Sequence, residues 1–92
     1  MIGLNEDPAS RARRYIANLT AELEKTSAIP GDTLVKPSNI DRVTDAVRRY
    51  LQDARHYLDE GRATTSLASV AYAEGLLDAL IFLELLQPQA KQ

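Results

Sequence analysis

The side chains able to do chemistry in this 92-residue chain are few. Arginines stand out first. Arg11, Arg13 and Arg14 cluster near the N-terminus, and Arg42, Arg48, Arg49 and Arg55 recur through the middle. Guanidinium groups grip phosphates, so nucleic-acid binding would use Arg11, Arg14, Arg42 and Arg49. Yet Asp41, Asp45, Asp53 and Asp59 are interleaved with the central arginines. Asp45 precedes Arg49 by four positions, the order that suits a helix. The pattern predicts a solvated face with ordinary ion pairs. The one histidine, His56, follows Arg49 by seven residues. Two helical turns would place both on one face, the spacing of an RNA-cleaving pair. That face lies opposite the apolar stripe, which predicts exposure.

Metal chemistry fares no better. Asp53-x-x-His56 has the spacing of half a carboxylate-bridged two-metal site, but such a site needs a second acid-x-x-His pair. With a single histidine and no cysteine, neither a metal nor a cofactor is expected. The glycines (Gly3, Gly31, Gly61, Gly75) are scattered and form no phosphate loop. Nothing couples a nucleophile to a base. The chain reads as non-catalytic.

Glu74 and Asp78 are the unusual charges, four apart within an apolar run. Buried carboxylates are costly unless paired. Tyr50, Tyr72 and Asp53, with Glu74 and Asp78, form the candidate buried polar set. Pairing that fixes helix register is one reading. A small-ligand pocket between helices, floored by Glu74 and Asp78, is the other.

Three helices must position these residues. The first should start at Asp7-Pro8, where aspartate caps free N–H groups and proline fits the first turn. Ala12, Tyr15, Ile16, Leu19 and Leu23 recur at helical spacing, and the helix spans about residues 8–26. Residues 27–37 form a long loop with a Pro30-Gly31 turn, and Ile29, Leu34 or Val35 could anchor it. The second helix covers about 39–60. Ser38 is its expected cap, and Ile40, Val43, Val47, Tyr50, Leu51, Ala54, Tyr57 and Leu58 form one stripe. Gly61 should take the left-handed position that ends it. The third helix runs about 64–87 from a Thr64 or Thr65 cap, and a frayed tail, 88–92, follows. The short turn makes these two helices antiparallel neighbours. Level counting places Ala54 near Val70 and Tyr50 near Glu74. The expected fold is an all-α three-helix bundle in one domain, 1–92.

The third helix is apolar nearly all round. Val70, Leu77 and Ile81 make one stripe, and Ala68, Gly75 and Ala79 make another nearly opposite. Such a helix is buried on more than one side, and the first helix is too sparing in large apolar residues to cover both. The excess, Leu76, Leu80, Phe82, Leu83 and Leu86, is the candidate interface. Composition adds little: 45% hydrophobic, 26% charged and net charge −2 give no general pull toward nucleic acid or anionic membrane. The N-terminus has no signal-peptide pattern. The run Leu76–Leu86, broken by Asp78 and Glu84, is too short to span a bilayer. A cytoplasmic location is expected.

Arg49 to Gly61, followed by Ala68 to Leu80, resembles an archaeal family of small helical proteins catalogued as domain of unknown function three-five-seven. The matching positions are Tyr50, Asp53, Ala54, Tyr57, Gly61, Tyr72, Ala73, Gly75, Asp78 and Ala79. Arg62 departs from the acidic or aromatic residue usual after the turn glycine. The resemblance implies a helical bundle and an archaeal source, and no activity. The functional expectation is therefore a non-catalytic interaction or structural module. It self-associates through its third helix, as a homodimer first of all, or binds another protein.

Overall fold

The computed structural model describes residues 6–29, 31 and 34–88. Among these residues the order is α1 (Pro8–Glu24), β1 (Thr26–Ala28), α2 (Pro37–Asp59), α3 (Ala63–Phe82) and β2 (Leu86–Pro88). The helices pack on one another as the expected all-α three-helix bundle, with α2 and α3 in the closest pairing and α1 mainly against α3. Pro30 of the expected turn and residues 89–92 of the expected tail lie outside the described residues.

Helix α1 begins as its sequence dictates. The Asp7 carboxylate accepts the Ser10 N–H at 2.7 Å, and that bond holds the Asp7 carboxyl below its ordinary pKa. Ala12, Ile16 and Leu19 are buried and Leu23 is half-buried. Tyr15 departs from the expected stripe. It is exposed, with the Arg14 guanidinium 4.9 Å from its ring centre.

All eight apolar positions expected of α2 are buried or half-buried. The start is corrected. Lys36 is the N-cap and Pro37 the first helical residue, so Ser38 lies inside the helix. Proline fits there because its missing N–H has no intrahelical partner. The end is as expected. Gly61 has φ +79°, the Gly61 N–H donates to the Leu58 carbonyl at 3.0 Å, and the Arg62 N–H donates to the Tyr57 carbonyl at 2.8 Å. This is a Schellman cap, and glycine takes its left-handed residue without a Cβ clash.

Helix α3 opens at Ala63 with no side-chain cap, so neither Thr64 nor Thr65 caps it. The early start draws the hairpin register tighter than level counting gives. Ser66, fully buried, donates its hydroxyl to the Ala54 carbonyl at 2.7 Å. Tyr50 meets the ring of Tyr72 edge-on at 4.6 Å, in place of Glu74. The helix also stops at Phe82, short of the expected 87. Glu84 takes φ +61°, the Leu85 N–H donates to the Leu80 carbonyl, and the Glu84 N–H donates to the Ile81 carbonyl, each at 2.9 Å. This is a second Schellman cap with glutamate in the glycine position. Had the helix continued, 100° per residue would have carried Leu86 to the outward side. The turn instead sends Leu86 into the core. It also pairs β2 antiparallel with β1, Ala28 opposite Leu86 and Thr26 opposite Pro88. Neither strand was expected. Ile29 extends the pairing by donating its N–H to the Leu85 carbonyl at 3.3 Å. Leu34 and Val35 are exposed.

Glutamate is poorly suited to residue 84. It takes a conformation that costs an L-residue about 1–2 kcal/mol and places negative charge at the negative end of a helix. Glu84→Gly relieves both, against about 0.4–1 kcal/mol of extra unfolded-state entropy. We expect a net gain of about 0.5–1 kcal/mol in urea unfolding, and a loss would show that the Glu84 side chain holds the cap.

Counted whole, α3 is long and apolar enough to cross a membrane, a test that the core helix of a soluble protein also passes. Its inward stripe is core: Ser66, Val70, Ala73, Leu77 and Leu80 are buried. The apolar members cluster with Ile16, Leu19, Val47, Leu51, Ala54 and Leu86.

Candidate functional site

Helices α2 and α1 cover only one side of α3. Ala68, Ala71, Tyr72, Gly75, Ala79, Phe82 and Leu83 are exposed. At 100° per residue they form one strip along the helix, opposite the core stripe. None of the seven carries a charge. Phe82 is 78% exposed, Leu83 67% and Tyr72 55%. Exposed apolar area gathered along one helix face makes this strip the candidate site.

This strip overlaps the expected interface only in part. Phe82 and Leu83 lie on it, and half-buried Leu76 flanks it. Leu80 and Leu86 are corrections, since both are buried in the chain's own core. Leu80 faces inward on α3, and the turn at Glu84 redirects Leu86.

The expected buried polar set is also largely corrected. Asp53 and Glu74 are exposed, Tyr72 is mostly exposed, and Tyr50 and Asp78 are half-buried. Among the described residues the fully buried polar side chain is Ser66, which sequence reasoning missed. A serine among small helical residues looks like filler until the facing carbonyl is known.

Glu74 and Asp78 lie along the edge of the strip nearer α1. There they act on Glu22, whose carboxyl is pushed above its ordinary pKa by burial first, then by Asp78 and Glu74. A carboxyl raised in the folded state contributes stability that is complete below the ordinary value of 4.5 and is lost as pH rises through the folded value. Glu22→Gln cannot ionise and keeps that contribution. We expect it to match wild type near pH 4 or below. At neutral pH it should be more stable by a few tenths of a kcal/mol, as befits partly solvated charges. Thermal melts at the two pH values check this, and an equal gain at both would refute it.

The opposite edge of the strip is basic. A groove of about 630 Å³ between α2 and α3 is lined by Arg42, Asp45, Arg49, Tyr50, Tyr72 and Leu76, among others. Among the described residues, the side chains of Arg42 and Arg49 make no ion pair or hydrogen bond, while Asp45 beside them goes to Arg48. The other two arginines considered for nucleic acid are engaged. Arg14 pairs with Glu6 at 2.6 Å and Arg11 with the same carboxylate at 3.4 Å. Arg14 above all holds the Glu6 carboxyl below its ordinary pKa. Elsewhere Arg48 meets Asp45 at 2.9 Å, and Arg55 donates to Thr20 at 2.7 Å, tying α2 to α1.

His56 is exposed and its Nε2 lies 3.2 Å from Glu60. Among the described residues no group of three histidine, cysteine, aspartate or glutamate side chains could hold a metal ion. A second groove, about 540 Å³ between α1 and α2, is lined by residues such as Ile16, Thr20, Arg55 and Leu58. Glu74 and Asp78 line neither groove.

No curated protein and no solved structure matches the chain. A family model described as "Protein of unknown function (DUF357)" matches residues 14–86. The match takes in most of α1, all of β1, the first residue of β2 and the whole α2–α3 hairpin, so this chain is a member of that family of unknown function.

Proposed function

We propose that this protein is a non-catalytic interaction module that associates with itself through the outward face of α3. One observation carries the reading: the face from Ala68 to Leu83 is exposed, apolar and free of charge, while charged residues stand only along its edges. A lone domain gains nothing from such a face. Buried against a second copy, each large apolar side chain on it contributes roughly 1.5–3 kcal/mol of transfer free energy before the costs of association.

Sedimentation equilibrium at micromolar concentration tests this. Wild type is expected to be dimeric and Leu83→Glu monomeric, with unchanged helical content because Leu83 is exposed and surface substitutions cost little stability. A wild-type chain that stays monomeric and binds no hydrophobic dye would overturn the reading.

A further inference from the structure

The edges of the α3 face carry opposite charge at matching heights. Tyr50 meets Tyr72, and the Ala54 carbonyl takes the Ser66 hydroxyl, so a step up α2 is a step down α3. Arg49, beside Tyr50, therefore comes level with Ala71–Ala73, and Arg42, two turns further, comes level with Asp78–Leu80. Both arginines stand on the α2 side, lining the groove with Tyr72 and Leu76. Glu74 and Asp78 stand on the α1 side, at nearly the same two heights. One edge thus carries two acids and the other two arginines, and Asp45, which lies between those arginines, is paired with Arg48.

Two symmetric ways of packing α3 on a second α3 follow. A twofold axis perpendicular to the helix makes the pair antiparallel and sets each edge against its own copy, acid on acid and arginine on arginine. A twofold axis along the helix makes the pair parallel and sets each acidic edge against the partner's basic edge at equal height. Like charges brought together are penalised, and complementary edges fix register.

Gly75 points to close contact on the same face. A Cβ there would meet nothing within 4 Å, so the bundle itself gives no reason for glycine. Mid-helix it is less favourable than alanine, because its backbone loses more freedom on folding. With Ala79 one turn on, it gives a close-approach line for a neighbouring backbone.

We propose that the protein forms a parallel, in-register twofold dimer along α3, in which Glu74 and Asp78 of each copy pair with the partner's Arg49 and Arg42. This rests on the self-association read above and adds its direction and its charged contacts. The pairs choose the orientation, and the apolar strip between them supplies the affinity.

The test uses the full chain at low salt. Arg42→Glu/Arg49→Glu makes both edges acidic, and Glu74→Arg/Asp78→Arg makes both basic. Each double variant is expected to raise the dimer Kd about tenfold or more, from four pairs turned repulsive. A one-to-one mixture of the two is expected to recover the wild-type Kd, because every junction in the mixed dimer then joins acid to arginine. The chain has no cysteine, so Ala68→Cys introduces a single thiol. In the parallel dimer it faces its own copy, and added oxidised glutathione, reduced as the two thiols join, links the chains by a disulfide. In the antiparallel one it lies by the partner's Leu83, roughly 22 Å along the helix from the partner's thiol, and stays unlinked. A wild-type dimer whose Kd neither double variant changes, with Ala68→Cys unlinked, overturns the parallel arrangement and leaves self-association standing. A wild-type monomer overturns both.

Discussion

Leu77→Ala is expected to lower the unfolding free energy by about 2–5 kcal/mol. Leu77 is fully buried at the middle of the inward stripe of α3, in one cluster with Val47 and Leu51 of α2 and with Ile16 and Leu19 of α1. Removing its side chain forfeits transfer free energy and leaves a cavity that three helices must close together. Small domains have total stabilities of roughly 5–15 kcal/mol, with a core this size toward the lower end. The loss is therefore a large share of the whole, and the variant should be partly unfolded at 37 °C. Urea unfolding checks it: the midpoint should fall with an unchanged slope. A drop below about 1 kcal/mol would mean that the site refills, contrary to a core held from three sides.

The second large effect is expected at Leu19, which is 1% exposed and is the deepest large apolar anchor of α1. Leu19→Ala should also cost about 2–5 kcal/mol, nearer the lower figure because α1 lies on the outside of the hairpin and can settle inward. Its mode of failure differs. Besides Leu19, α1 buries only Ala12 and Ile16, so a weakened α1 has little else to hold it. A reduced urea slope for this variant would show α1 already released before the hairpin melts. The double variant Leu19→Ala/Leu77→Ala should cost less than the sum of the singles, since both empty one cluster.

What could be read in advance followed the strength of local patterns. Helix α2 has a clean stripe and a glycine end, and both were legible to the residue. The start of α1 was legible from Asp7-Pro8 alone. The end of α3 was not. Nothing in Phe82-Leu83-Glu84-Leu85 announces a left-handed residue, and the turn is held by what it makes possible: Leu86 in the core and a backbone pairing with Thr26–Ala28. Those gains come from distant parts of the chain. The same applies to Ser66, whose role depends on the Ala54 carbonyl across the hairpin.

The candidate surface was half legible. Two apolar sides on α3 were evident from spacing, and Phe82 and Leu83 do lie outward. A run of apolar neighbours suggests an enclosed site for Glu74 and Asp78, but Glu74 is exposed and Asp78 half-buried. They stand at its edge, where the solvent reaches them. The basic edge opposite was hidden for another reason. Arg42 and Arg49 look like part of an ordinary charged face until the fold shows that Arg48 takes Asp45 and leaves them over.

The pairing of β1 with β2 bears on the order in which the molecule assembles. It joins the segment after α1 to the segment after α3, Thr26 opposite Pro88, so the whole hairpin must be in place before it can close. Contacts between such remote segments carry the largest loop-closure cost and favour late formation. The α2–α3 hairpin folds through near neighbours, whereas α1, which packs mainly on α3, and the two short strands join it across long stretches of chain. The strand pairing is also shallow, three residues a side, which makes it the natural first place to open when the folded chain breathes.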